Sequence, residues 1–446
     1  MNANKTETLN PTKPKVTAAN LKPLQFWQSI TMGGDPEFFF ANNDGKTVGS
    51  EKVLPKEGLP SALPGVVTYG NENNTIGKTV IDGVQAELHP RSSTCREVLA
   101  SEIATCFRSL KQTLADKGVK IVVAPLVDVS QNELDSLSEG SQVFGCGPSR
   151  NIYQSAEESK IKVDAKKYLK RSAGGHIHLG NYHSNTLNEP ARNFTAQDRA
   201  FDGRYSIAER TERTLKQMPE VLVPILDIIV GNTCVLLDTA SGNIERRANY
   251  GRVGEYRLKP YGMEYRTLSN FWLKSYPLMS LVYGLARFAV HLVEQSTPDN
   301  DYVKALTDAV NRDDIIKAIN ENDFDLALSN FKKIEEIIKV AAGENDRAAR
   351  YYPIKGSTIT YFYWFVKRGL DHWFKEDVMS HWCGQYNIRG GWENFLLKTV
   401  KADLEESMKN TSIDLNNLNP HPAPKQNTVD AVRDYADYTD EVIGII

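Results

Sequence analysis

The chain has 446 residues, 53 Lys and Arg against 56 Asp and Glu, and a formal net charge of -3, enough for a sizeable core in one large domain or two to three ordinary ones. So balanced a charge removes any general electrostatic argument for nucleic acid or a membrane as the main partner. The five cysteines are scattered and never spaced as CxxC, which argues against a disulfide framework or a thiolate zinc site and fits a reducing cytoplasm.

Residues 1–20, MNANKTETLNPTKPKVTAAN, are polar without an apolar run and read as a disordered leader, not a secretion signal. Residues 31–42, TMGGDPEFFFAN, read as one strand closed by the turn NNDG, and 79–90, TVIDGVQAELHP, as a second with strict alternation. A helix should follow. Thr94 and Glu97 have the spacing of a capping box, Val98, Ile103, Phe107, Leu110 and Leu114 recur at helical intervals, and Gly118 offers the stop. KIVVAPLVDV (120–129) reads as a buried strand, and 131–170 as polar and irregular. RSAGGHIHLG (171–180) sets two histidines between glycines. The apolar run at 221–237 is interrupted by Pro224, Asp227, Gly231 and Asn232, so it reads as a buried helix, or helix plus strand, and not a membrane span. The segment 243–272 is basic and punctuated by glycine, and from about residue 285 helical periodicity dominates.

One spacing recurs. Residues two apart in a strand share a face, which groups His176 with His178, Asp35 with Glu37, Glu87 with Gln85 and His89, Glu255 with Arg257, and Glu264 with Arg266. A solvated sheet face would also alternate, but it would be rich in Lys, Thr, Ser and Gln. These positions carry carboxylates, His and Arg, with no lysine among them. If the strands share a sheet, Asp35, Glu37, Glu87 and Glu264 crowd like charges that something must neutralise. Carboxylates with a histidine and water suit Mg2+ or Mn2+, whereas zinc would prefer more His or any Cys. Arg246, Arg247, Arg252, Arg257 and Arg266 present planar donor forks that match phosphate or carboxylate oxygens. Surface salt bridging or RNA contact is the alternative for such a group, although Gly251, Gly254 and Gly262 would let backbone approach a ligand closely. Carboxylates that bind metal, facing guanidinium groups, describe a phosphoryl-transfer site. With no P-loop, Rossmann or GxSxG motif, any ATP would be held by metals and arginines on a sheet.

In order and spacing, GDPEF, QAELHP, GGHIHLG, RRANYG and YGMEYRTLS resemble the carboxylate–amine ligase (amidoligase) superfamily with the glutamine-synthetase-like catalytic fold, specifically its phage-type branch, over about residues 31–275. The resemblance implies an α+β fold: a curved, mainly antiparallel sheet with one polar active-site face, helices on the other, and a helical C-terminal region. Together with the polar leader, the helical periodicity beyond 285 and the polar end, it suggests a leader (1–30), a catalytic domain (31–285), a helical region packed on it (286–420) and a tail (421–446). It implies metal ligands at Asp35, Glu37, Glu87, His176 and Glu264, with Glu72 or water at the position of a second middle-strand glutamate. Arg266, Arg246, Arg247 and Arg257 take catalytic roles, His178 lines the substrate side, and Arg252, Arg257 and Arg266 face the nucleotide.

The implied reaction is ATP- and Mg2+-dependent (or Mn2+-dependent) amide formation through an acyl phosphate, joining a carboxylate to an amine on an amino acid, peptide or protein. The expected setting is the cytoplasm, that of the host for a phage protein, without nucleic acid or membrane partners and with room for a homo-oligomer. The competing readings are a metal-dependent hydrolase built on the HxH strand and a phage structural or binding protein that has retired the site.

Overall fold

The computed structural model describes residues 18, 21–24, 30–61, 77–144, 149–155, 157, 163–181, 203–342 and 378–385. It is a mixed α/β fold in which every strand pairing described is antiparallel. The strands are β1 (Ile30–Gly34), β2 (Glu37–Asn42), β3 (Thr47–Val48), β4 (Leu59–Ser61), β5 (Gly77–Asp82), β6 (Gln85–Pro90), β7 (Val119–Val122), β8 (Leu126–Asp128), β9 (Arg150–Asn151), β10 (Lys170–Ser172), β11 (Ile177–Asn181), β12 (Glu255–Lys259) and β13 (Gly262–Tyr265). They divide into a five-stranded sheet ordered β1-β11-β13-β12-β9, a six-stranded sheet ordered β3-β2-β6-β5-β4 with β7 on β2, and the pair β10-β8.

The expected single strand over 31–42 is therefore two, broken at Asp35–Pro36 and belonging to different sheets. Proline lacks the N–H a ladder needs, and the chain crosses between sheets there. The carbonyl of Pro36 still accepts from Leu88 N–H at 3.0 Å, and Glu37 N–H donates to the Gly174 carbonyl at 2.9 Å, which ties the crossing to β6 and to the segment leading into β11. KIVVAPLVDV breaks in the same way at Pro125, into β7 and β8.

The helix Arg96–Lys117 packs beneath β4, β5 and β6. Leu99, Ile103, Phe107, Leu110 and Leu114 form its buried stripe, whereas Val98 is exposed; each large apolar side chain so buried contributes roughly 1.5–3 kcal/mol. Gly118 ends the helix in the left-handed region, as its sequence position implies. Thr94 is not the N-cap. The N-cap is Cys95, without a side-chain cap bond, and the Thr94 carbonyl instead accepts from Arg287. The run at 221–237 is helical without a strand, with a π-helical stretch at Asp227–Gly231 that absorbs the interruption. Among the described residues no single helix is long and apolar enough to cross a membrane, and Leu222, Val223, Ile225 and Leu226 are buried in the protein core. The helix Tyr276–Glu294 runs unbroken through residue 285 and packs on β1, β11 and the Arg96–Lys117 helix. The helical segment that follows and the sheets thus share one hydrophobic core.

Candidate active site

The seam where β1 passes into β2 gathers most of the alternating charged residues. His178 and Glu264 lie directly opposite each other on β11 and β13, with Arg257 opposite Glu264 on β12. Glu37 and Glu87 face each other across β2 and β6, a like-charge pair that is unfavourable unless something compensates it. Asp35, in the crossing itself, stands between the histidines. Its Oδ1 is 3.0 Å from His176 Nδ1 and its Oδ2 is 3.2 Å from His178 Nε2.

The other nitrogen of each ring meets a tyrosine hydroxyl. Tyr250 lies 2.6 Å from His176 Nε2 and donates to Glu37 Oε1 at 2.7 Å, while Tyr261 lies 2.8 Å from His178 Nδ1. The second oxygen of Glu37 accepts from Gly174 N–H at 2.6 Å. The guanidinium groups of Arg246 and Arg266 lie 5.3 and 5.6 Å from the Tyr250 ring centre, which fixes the ring.

Charge at the seam is unbalanced. Burial, then the neighbouring Asp35 and Asp82, pushes Glu87 up to about 10. Burial, then Asp82 and Glu87, raises Glu37 to about 8, and burial with Asp35 raises Asp82 to about 6. Burial also opposes ionisation of Asp35, but His178 and His176 outweigh it and hold Asp35 well below the ordinary carboxylate range. The same competition, won by His176 and Arg266, lowers Glu264. Burial and the nearby Arg266 lower His176 to about 4, so its ring is neutral.

These groups suit a divalent cation. Asp35, His178 and Glu264 offer ligand atoms within 4.8 Å of one another, and His176 Nδ1 lies 3.5 Å from Glu264 Oε1. Adjacent ligands of an octahedral ion about 2.1 Å away stand about 3 Å apart. The buried His178 Nε2 points into this group, 3.2 Å from Asp35 Oδ2. For His176, since the Tyr250 hydroxyl donates to Glu37, the Tyr250 oxygen accepts from Nε2–H. Nδ1 then aims a lone pair at the carboxylates of Asp35 and Glu264, a repulsive arrangement that a cation between them resolves.

The arginines separate into groups. Arg266 pairs closely with Glu264, whose other oxygen is 3.4 Å from Arg257 and 3.0 Å from Lys259. Arg246 instead donates to the carbonyls of Thr267 and Leu268, Arg247 to the Ile319 carbonyl and Asn322, and Arg252 to the carbonyls of Arg247 and Ala248. These buried guanidinium groups brace the loops around the seam. Glu255 turns toward Gly251 N–H, and Glu72 lies outside the described residues.

The glycines also serve the protein's own packing. A methyl group at Gly174 would strike the His176 ring, one at Gly175 would strike Ser269 and Trp272, and one at Gly251, whose φ is 70°, would strike Arg246. Room for a ligand is elsewhere: a cavity of about 370 Å3 opens beside Asp35 and His178, bordered by Thr31, His89, Ser92, Lys259 and Tyr261.

Sequence reasoning missed Asp82, Lys259, Tyr250 and Tyr261. The expectation that no lysine shares these faces is corrected by Lys259, which is two residues beyond Arg257 and so on its face. Asp82 sits opposite Gln85, on the face carrying Glu87, a position the strand pairing of the TVIDGVQAELHP hairpin could have revealed.

Residues 216–344 match the model of the phage phiEco32-like COOH.NH2 ligase-type 2 family, in accord with the resemblance drawn from the motifs. The matched segment extends beyond residue 285 into the helices, and it holds Glu264 and the arginines but not Asp35, Glu87 or the histidines. No curated protein matches. Among solved structures, a bifunctional glutathione synthetase from Pasteurella multocida aligns with 11% identity over 75% of this chain and 52% of its own, at a TM-score of 0.34. The chain spans about half the length of that protein, and so low a score does not establish a shared fold.

Proposed function

We propose that this chain, whose residues 216–344 match the phage phiEco32-like COOH.NH2 ligase family, is an ATP- and Mg2+-dependent carboxylate–amine ligase that forms an amide through an acyl phosphate. The observation that carries this reading is the meeting, on one seam, of an excess of carboxylates with Arg257, Lys259 and Arg266. Bringing a phosphate to a carboxylate joins two anions that repel, and catalysis of that step is chiefly positioning and charge screening. Asp35, His178 and Glu264, with His176 and Glu87 beside them, would hold the cation. Once bound, Mg2+ or Mn2+ supplies positive charge between phosphate and carboxylate oxygens.

The protein's own groups do the rest. Arg257 and Lys259, whose side chains are 28% and 25% exposed at the rim, orient phosphate oxygens, and Arg266 holds Glu264 in place. The cavity at Asp35 and His178 receives the carboxylate substrate, with Lys259 and the hydroxyls of Thr31 and Ser92 on its wall. One oxygen of that carboxylate attacks the γ-phosphorus, and the bond to ADP breaks. The amine then attacks the acyl carbon, phosphate leaves, and the amine proton passes to solvent or a nearby carboxylate. The substrate class is an amino acid, peptide or protein, met in the cytoplasm, that of the host if the chain is phage-encoded.

The test is a screen of carboxylates and amines with MgATP, reading ADP and phosphate. Release of both only when carboxylate and amine are present together supports the ligase. Turnover of an amide without nucleotide would replace it with a hydrolase. Millimolar MgATP should also raise the melting temperature, EDTA should cancel the rise, and no shift at all would sink the proposal.

A further inference from the structure

Each histidine at the seam has one nitrogen against Asp35 and the other against a tyrosine, but the nitrogens are opposite ones. His176 turns Nδ1 to Asp35 and Nε2 to Tyr250; His178 turns Nε2 to Asp35 and Nδ1 to Tyr261. The two rings thus present different edges to Asp35, which lies between them.

A ligating histidine needs its lone pair held toward the metal, and a hydrogen bond from the opposite nitrogen fixes both the tautomer and the ring angle. We infer that Tyr250 and Tyr261 are positioning residues that set His176 to present Nδ1, and His178 to present Nε2, to the divalent-cation centre at Asp35 and Glu264. This rests on the cation centre of the proposed ligase and adds the residues that build it. The Tyr250 hydroxyl can play this part because it donates its hydrogen bond to Glu37 Oε1, leaving the oxygen to accept from His176. Its ring sits edge-on to His176, 74° between planes, within reach of Arg246 and Arg266. The Tyr261 ring is tilted 31° to His178 at 5.7 Å, and Tyr261 also borders the cavity.

The experiment titrates Mn2+ into full-length protein, reading free Mn2+ by electron paramagnetic resonance, for wild type, Tyr250→Phe, Tyr261→Phe and Tyr168→Phe. Phenylalanine keeps the ring packing and removes only the hydroxyl. Loss of such an outer partner weakens metal binding by about 10–100-fold, so the first two variants should bind that much more weakly. Tyr168→Phe, whose hydroxyl meets Glu245 away from the seam, should bind as wild type does. Melting temperatures in EDTA separate lost affinity from lost fold, and should Tyr250→Phe melt early, Tyr261→Phe decides. Wild-type affinity in both folded variants would overturn the inference and leave the centre standing. Absence of Mn2+ binding in wild type would overturn the centre and the inference together. Normal Mn2+ binding without any nucleotide turnover would remove the ligase reading alone.

Discussion

At the seam, burial and neighbouring carboxylates make Glu37, Asp82 and Glu87 harder to ionise in the folded protein than in the unfolded chain. Their values stand at about 8, 6 and 10 against ordinary values of 4.5, 3.8 and 4.5. Between the ordinary carboxylate range and these raised values the folded form binds more protons than the unfolded one, so stability falls as pH rises. Melting temperature in EDTA should therefore decline from mildly acidic to alkaline pH, and saturating Mg2+ should flatten the decline. Equal slopes with and without the metal would show that the carboxylates do not share a cation. Glu264→Gln would leave the Arg266 guanidinium, 1% exposed, without its closest counter-charge, and removing one partner of a buried pair costs about 3–5 kcal/mol. Urea unfolding should detect a loss of that order. The acids and histidines were legible one by one, because alternation assigns each to a face. The tyrosines were not, since a hydroxyl's partner depends on which strands come together, and Asp82 before Gly83 reads as an ordinary turn flank.

Among the elements, the break at Asp35–Pro36 has the largest consequence. A continuous strand would have kept Asp35 and Glu37 on one face of one sheet. The proline instead hands the chain from β1 to β2 and leaves Asp35 between the sheets, where its two oxygens can serve two histidines. The glycine before the histidines matters for a related reason: Gly174→Ala would push a methyl group into the His176 ring. Overpacking of that kind costs about 1–3 kcal/mol, and the displaced ring should also weaken Mn2+ binding. Unchanged stability and affinity would mean that the ring has another place to go. The Arg96–Lys117 helix was legible from its apolar period and its terminal glycine. Its start was not, because the cap sequence competes with the turn at Ser93, whose hydroxyl takes the Cys95 N–H at 3.0 Å. Phe107, packed between Phe38 and Trp382, anchors that helix, and Phe107→Ala should cost about 3–5 kcal/mol in urea unfolding.

Across the whole molecule, segments far apart in sequence meet in one core. Trp382 donates to the Leu273 carbonyl at 2.7 Å, and His381 Nε2 accepts the Tyr276 N–H at 3.3 Å, so residues 378–385 cap the start of the Tyr276–Glu294 helix. Burial lowers His381 from 6.5 to about 4. The unfolded chain then takes up a proton first as pH falls, and stability contributed by this contact is lost from about pH 6.5 down to about 4. A glutamine at 381 keeps an acceptor and cannot titrate, so the acid-side loss of melting temperature should shrink in His381→Gln. An undiminished acid limb would assign the loss to other groups. The acidic residues and histidines come from the first 180 residues and Glu264 with its cations from the matched segment, so neither part holds the site alone. The sequence by itself determined which residues are apolar or charged on each strand, and the order of motifs that resembles a family, because side-chain alternation and local spacing are properties of the chain. Which arginines face the carboxylates and which brace carbonyls, and which nitrogen of each histidine turns inward, was decided only by tertiary structure. Those choices depend on which strands become neighbours and on the desolvation that follows, and neither is written in any local stretch of sequence.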